Sequence, residues 1–263
     1  LQTIYIFLLF GALFTAIFSA VFGVAGGMML FVLLTLFLDA KNAVPMHAIV
    51  QLVSNFSRVV LSLKHIKKAI VWRFVLLTPL GAYLGALIFE YTNPKIMEIV
   101  IGSAILAMLY LIPNKNAKNN QEYTQQIGQA DEQVSKPNYN SFILLGFLSS
   151  FLGMIVGVVG PFISPFFIRQ QLKKEELVAT KAACQGVVQL VKVPTFGLVV
   201  AFDYEQYSLL ISLLCLVTVL GTWVGKNLIH RISDKNYHFL EKIILTVLSL
   251  FMIGKAAKAL LVG

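Results

Sequence analysis

No charged residue occurs between Leu1 and Leu38, and the cluster Gly23-Val24-Ala25-Gly26-Gly27 sits inside that apolar stretch. At about 1.5 Å per residue, a single helix over the whole stretch would far exceed the roughly 30 Å of a bilayer's hydrocarbon core. The stretch therefore has to break. Glycine weakens a helix and lets backbone approach backbone or ligand, so the cluster marks the place. A spanning helix is predicted to end near Phe22 and a shorter one to start near Gly27. The second start offers unpaired N–H groups, which in a membrane must be covered by protein or face a polar cavity, and which favour an anion.

The rest of the chain supports a membrane setting. Of 263 residues, 58% are hydrophobic and 13% charged, and the mean hydropathy of +0.81 lies outside the soluble range. An all-α polytopic membrane protein is expected. The net charge of +9 would suggest nucleic acid in a soluble chain. Here its distribution among loops matters more, and no nucleic-acid partner is expected. Cys184 and Cys215 fall in apolar segments, where cysteine acts as a small hydrophobe. Neither a metal nor a cofactor is expected. The chain opens on Leu1 rather than Met, and its first stretch is read as a helix because further runs of spanning length succeed it.

Those runs cover Val44–Leu63, Val71–Phe89 and Ile96–Ile112. From Pro113 to Asn140 the chain is rich in Asn, Gln, Lys and Glu, the composition of an exposed tether. Apolar runs return at Phe142–Val159, Pro161–Ile168, Leu177–Val200, Tyr207–Ile229 and Phe239–Val262. The plan is therefore a first membrane repeat (1–112), a hydrophilic linker (113–140) and a second membrane repeat (141–263). A shift of 134 residues superposes Phe22–Leu61 on Val156–Thr195 without a gap, aligning Gly23 with Gly157, Gly26 with Gly160 and Gln51 with Gln185. The same shift aligns His47 with Lys181 and Arg58 with Lys192, which chance matching of apolar helices does not explain. Gly81-x-x-x-Gly85 answers Gly221-x-x-x-Gly225 at a shift of 140, and both read as close helix packing.

Loop charge orients the copies, because cytoplasmic loops carry excess Lys and Arg. Lys64, Lys67, Lys68 and Arg73 crowd one first-half loop, whose second-half counterpart holds Asp203 and Glu205. Conversely Arg169, Lys173 and Lys174 answer a loop with only Asp39 and Lys41. The copies are thus expected to be inverted, with five helical segments each and the linker cytoplasmic. Eight spanning helices, four per half, is the simpler alternative, but it puts one basic loop set on the wrong side.

His47, Gln51, Asn55 and Arg58 recur at spacings of four, four and three, one face of a helix. Lys181, Gln185, Gln189 and Lys192 repeat that stripe in the second half. Arg58 and Lys192 lie within spanning segments, where a cation costs at least ~2.5 kcal/mol unless it snorkels, finds a partner or faces a wet cavity. No intramembrane Asp or Glu is counted to neutralise them, so a mobile anion is a natural partner. Three other readings stand beside this one. The cations snorkel or bond helix-terminal carbonyls, the amides glue helices together, and His47 and Lys181 are interfacial. Ser54, Ser57 and Cys184 have no His/acid arrangement around them, and no G-x-x-x-x-G-K-[ST] motif occurs, so an enzyme is not expected. Inverted repeats, broken helices and helix starts aimed at an anion are parts of secondary transporters. His47 is the one obvious titratable group on the stripes for coupling to protons.

The glycine cluster, the apolar stretch after it and Ala48–Gln51–Ser54 on the next helix, repeated after a hydrophilic linker, resemble the sulfite exporter TauE/SafE family. The resemblance spans nearly the whole chain. It implies a bacterial inner-membrane permease for sulfite, sulfonates and related organosulfur anions. The family pattern often has more consecutive glycines, where this chain has Ala25, Val159 and Pro161. The site residues expected to bind substrate are Gly23, Gly26, Gly27, Gln51, Asn55 and Arg58 in the first half. Gly157, Gly160, Gln185, Gln189 and Lys192 are their second-half counterparts, with His47 and Lys181 as accessory or proton-coupling groups. A carrier or channel for another small anion, such as a carboxylate, is the alternative.

Overall fold

In a computed structural model the described residues, 2–22, 26–110, 139–168, 170, 172–228 and 234–262, are almost entirely helical. In chain order the α-helices are α1 (Gln2–Phe22), α2 (Gly26–Phe37), α3 (Ala40–Leu61), α4 (Lys68–Tyr91) and α5 (Pro94–Tyr110). After the linker come α6 (Ser141–Val156), α7 (Gly160–Ile168), α8 (Lys174–Leu198), α9 (Ser208–Leu228) and α10 (Asp234–Val262). The break expected in the first stretch separates α1 from α2 and its counterpart separates α6 from α7. The linker expected over 113–140 lies outside the described residues except for Tyr139 and Asn140.

At 12 and 9 residues, α2 and α7 reach only about 18 and 14 Å, too short to cross a hydrocarbon core. A helix of that length with one end at the membrane surface has its other end inside the core. Lys68–Tyr91 and Ser208–Gly225 are each long and apolar enough to cross. Their outward faces carry Trp72, Leu76, Leu80, Trp223, Leu216 and Leu220, all exposed. Such a continuous apolar surface suits lipid rather than water.

The most extensive packing joins the halves instead of staying within them: α4 lies against α6, and α1 against α9. Lipid is as apolar as leucine, so helices associate through close backbone approach at small residues. A Cβ on Gly81 would strike the Phe147 carbonyl and the Ser150 hydroxyl of α6, and one on Gly85 would lie 2.7 Å from the Phe151 carbonyl. A Cβ on Gly221 would lie 2.7 Å from Ala16 Cβ on α1. The Gly-x-x-x-Gly segments are packing surfaces, as read. Helix α3 crosses α8 between these pairs, and α5 packs on α10.

Polar contacts gather at two ends. At one, Lys67 Nζ meets Glu176 at 2.7 Å, the Lys67 N–H donates to Thr180 Oγ1 at 2.9 Å, and the Arg73 guanidinium lies 5.9 Å over the Tyr139 ring. At the other, Lys95 Nζ meets Asp39 at 3.0 Å and Lys41 Nζ donates to the Glu90 carbonyl at 2.7 Å. There Lys255 Nζ also donates to the carbonyl of Leu36 at 3.4 Å.

Candidate anion site at the helix breaks

Gly26 opens α2, so its N–H and the next few have no carbonyl within their own helix. Gly23 lies outside the described residues. A Cβ on Gly27 would stand 3.0 Å from Gln51 Nε2, which puts the Gln51 carboxamide against the helix start. One turn earlier on α3, His47 is buried, and its Nε2 is 2.9 Å from the Gly27 carbonyl oxygen. A carbonyl only accepts, so Nε2 carries the hydrogen and Nδ1 of the neutral ring is bare. Nδ1 has no hydrogen-bond partner among the described residues. Gly26, Leu30, Gln51 and Ser54 line a small cavity with Thr15 and Ala16 of α1 and Thr218 of α9. Its volume of about 10 Å³ admits a water and no larger ligand without the helices moving apart.

The second break is built differently. Gly157 ends α6 with φ +82°, a left-handed conformation that favours glycine, and its N–H donates to Gly153 O at 3.1 Å. Lys192 is wholly buried, and its Nζ donates to Gly153 O at 2.7 Å and Gly157 O at 3.3 Å. A cation at a helix C-terminus also answers the negative end of the helix dipole. The Phe31 ring of α2 reaches across and would lie 2.5 Å from a Cβ on Gly157. The same ring packs edge-on against His47, with centroids 5.1 Å apart. At the start of α7, a Cβ on Gly160 would stand 3.0 Å from Gln185 Nε2. The glutamine-over-glycine contact of the first break thus recurs, one residue earlier in the repeat.

The two stripes face one another across the α3–α8 crossing. His47 feels the charge of Lys192, and Lys181 that of Arg58. Asn55 is buried against Gly186, 3.8 Å from where a Cβ would stand, and Gln189 is buried with Oε1 unpartnered among the described residues. Arg58 and Lys181 are half-buried and engaged with neighbouring groups. Four basic or titratable side chains and four amides therefore lie along the α3–α8 crossing, and of these only Gln51 lines the cavity, while Gly23 alone among the expected site residues is not described.

Glu98 of α5 corrects the expectation of no acid in the interior. It is wholly buried, with Oε1 3.5 Å from Lys95 and Oε2 unpartnered among the described residues. This acidic side chain lies at the end occupied by Asp39 and Lys95 rather than among the stripes. Thr15, Thr218 and Phe31 were also missed. The first two had a signal, since Thr15 aligns with Ser149 at the shift of 134 and Thr78 with Thr218 at the shift of 140. Among the described residues no group of three His, Cys, Asp or Glu could hold a metal.

The family described as Sulfite exporter TauE/SafE matches residues 8–254, a span containing both breaks and both stripes. The chain belongs to the sulfite exporter TauE/SafE family. No curated protein and no solved structure matches it. TauE/SafE proteins are membrane transporters rather than enzymes, and membership makes this chain a membrane protein that handles a small anion.

Proposed function

We propose that the protein is a secondary transporter of small sulfur oxyanions, sulfite or organosulfonates, working by alternating access between two inverted halves in the bacterial inner membrane. The observation that carries this reading is the start of α2. N–H groups with no carbonyl in their own helix, the Gln51 carboxamide and buried polar side chains meet there around a cavity lined by three other helices. Arg58, Lys181 and Lys192 supply positive potential along the α3–α8 crossing, with Asn55 and Gln189 between them. On this reading Gly23 and Gly27 shape the first break, and Gly157, Gly160 and Gln185 the second.

The inverted repeat is supported by how the helices pair. If α1–α5 correspond to α6–α10, a two-fold axis exchanges α4·α6 with α9·α1 and maps α3·α8 and α5·α10 onto themselves, and these are the four most extensive contacts. The two polar ends support the topology. Loops expected in the cytoplasm meet at Lys67, Arg73, Tyr139 and Glu176, and segments expected outside meet at Asp39, Lys41, Glu90 and Lys95. Exchange of the anion between the two faces then needs relative motion of the halves about the α3–α8 crossing.

An anion leaving the cell moves down the membrane potential unaided, whereas uptake requires a coupling ion. We assign proton uptake to the bare Nδ1 of His47, behind the α2 start, with the charge of a bound anion offsetting the Lys192 charge and the burial that oppose it. The test is flux of radiolabelled sulfite and of a small sulfonate in proteoliposomes, with and without a pH gradient, for wild type and Arg58→Ala. Saturable flux lost in the folded variant is expected. Absence of flux for both anions with correctly reconstituted wild type would remove the substrate class, and non-saturating flux would favour a channel.

A further inference from the structure

Helical Ser and Thr residues usually hide their hydroxyl by donating to the carbonyl one turn back. Ser57, Thr78, Ser150, Thr195 and Thr222 all do so, at 2.6–2.9 Å. Thr218 does not. Its side chain is 3% exposed, yet Oγ1 has no hydrogen-bond partner among the described residues. Ser149 and Ser249 share that state, but Thr218 alone of the three lines the cavity at the start of α2. A buried hydroxyl without a partner costs stability, and a methyl of the same shape would cost less. The cost is met if an acceptor enters the cavity: a water fits it as it stands, and an oxygen of a ligand takes that place once the helices part.

Thr15 lines the same cavity, and its Oγ1 donates to Ala12 O at 3.0 Å. A hydroxyl whose hydrogen is already committed can still accept. The wall opposite Gly26 therefore offers one free donor, Thr218, and one acceptor, Thr15, carried by the closely packed helices α9 and α1. The counterpart position is not equivalent. Thr78 donates to Phe74 O at 2.6 Å and stands 3.0 Å from where a Cβ on Gly146 would sit.

We propose that Thr218 is a specificity-determining substrate ligand, donating a hydrogen bond to one oxygen of an oxyanion held at the α2 start, with Thr15 accepting from the protonated form of that anion. This deepens, and rests on, the assignment of the break as an anion site. The class selected is a small oxyanion with several oxygens, at least one of them able to carry a proton near neutral pH, such as sulfite and bisulfite. A fully ionised sulfonate would gain the Thr218 bond and not the Thr15 bond.

The experiment is equilibrium binding of radiolabelled sulfite, and of a small sulfonate as competitor, to purified protein in nanodiscs under anaerobic conditions. Thr218→Val, Thr218→Ser and Thr78→Val are compared with wild type, and the melting temperature without ligand is measured in parallel. Removing one hydrogen bond to a charged ligand should weaken sulfite binding roughly ten-fold or more. Thr218→Val should do this while melting no lower than wild type. Thr218→Ser should restore affinity to within a few-fold. Thr78→Val should lower the melting temperature and leave affinity near wild type. Thr218→Val binding sulfite as wild type does would overturn the proposal while leaving the anion site standing. If the valine variant does not fold, Thr218→Ala and Thr218→Cys carry the same test, since neither keeps a strong donor. Wild-type protein that binds neither anion would remove the site itself, and the Thr218 role with it.

Discussion

The two glycine breaks match in sequence yet differ in structure. At the first, the helix start is bordered by movable side chains: Gln51 against Gly27, His47 on the Gly27 carbonyl, and Thr218 across a cavity. At the second, the protein closes the break with its own groups. Lys192 binds the Gly153 and Gly157 carbonyls, and Phe31 from the other half lies on Gly157. The matched segments give two places where one helix ends and a short one starts. On the proposed reading the first keeps its polar groups for a ligand, while at the second Lys192 ties α8 to α6 within one half and Phe31 reaches in from the other. Phe31 connects them, touching both His47 and Gly157.

Lys192→Met should have the largest effect. It takes the Lys192 donor from the Gly157 carbonyl and leaves Gly153 O with the Gly157 N–H, and should lower stability by about 1–3 kcal/mol, read by thermal or denaturant unfolding in micelles. Arg58→Met should abolish sulfite flux with a much smaller loss of stability. Equal losses of stability would erase the distinction between a fastening cation and a site cation. Next comes Gly157→Ala. The left-handed backbone alone costs a non-glycine residue about 1–2 kcal/mol, and the new Cβ also meets the Phe31 ring. Gly27→Ala, whose Cβ meets only the flexible end of Gln51 at 3.0 Å, should change unfolding little and weaken sulfite binding several-fold. Phe31→Ala combined with Gly157→Ala should relieve the clash but not the backbone strain, separating the two contributions. A smaller change is expected from His47→Gln: flux down a sulfite gradient should persist while its stimulation by a pH gradient disappears.

The smallest effect concerns the polar end away from both breaks. Hydrogen bonding to Lys67 holds the Glu176 carboxyl below the usual carboxylate range, and the same contact raises the Lys67 ammonium. Both groups lie outside the spanning segments. The carboxylate's contribution is present above its unfolded value near pH 4.3 and lost as pH falls through the depressed folded value. The lysine's contribution is present below about pH 10.4 and lost as pH rises through its raised folded value. The contribution of this pair should therefore be lost only outside the interval between about pH 4 and 10, and Glu176→Gln should reduce the acidic fall in a melting-temperature profile. Because this exposed pair is weak and screened by salt, its part of that fall should shrink at high ionic strength.

Much of this frame was legible in the sequence. Leu1–Leu38 was too long and too apolar for one helix, and the glycines located its break within a few residues. The four-residue spacing of His47, Gln51 and Asn55 showed one face, and the shift of 134 showed its copy. The partners of Lys192 were harder to see. Backbone carbonyls leave no residue-type signature, and Gly153 becomes an acceptor only because α6 ends beside it. The wall formed by Thr15 and Thr218 joins helices some two hundred positions apart, visible in the chain only as matched hydroxyls at two shifts. Glu98 was overlooked because its run is apolar on average. Its burial comes from the packing of α5, which no average over the run records.

The central claim is that the first break binds the anion and the second is closed by the protein's own groups. Equilibrium binding of radiolabelled sulfite to purified Gln51→Leu and Gln185→Leu, matched residues of the two repeats, tests it most directly. The account predicts that Gln51→Leu loses high-affinity binding while Gln185→Leu binds within a few-fold of wild type, both remaining folded. Equal loss in the two variants, or greater loss in Gln185→Leu, would contradict it.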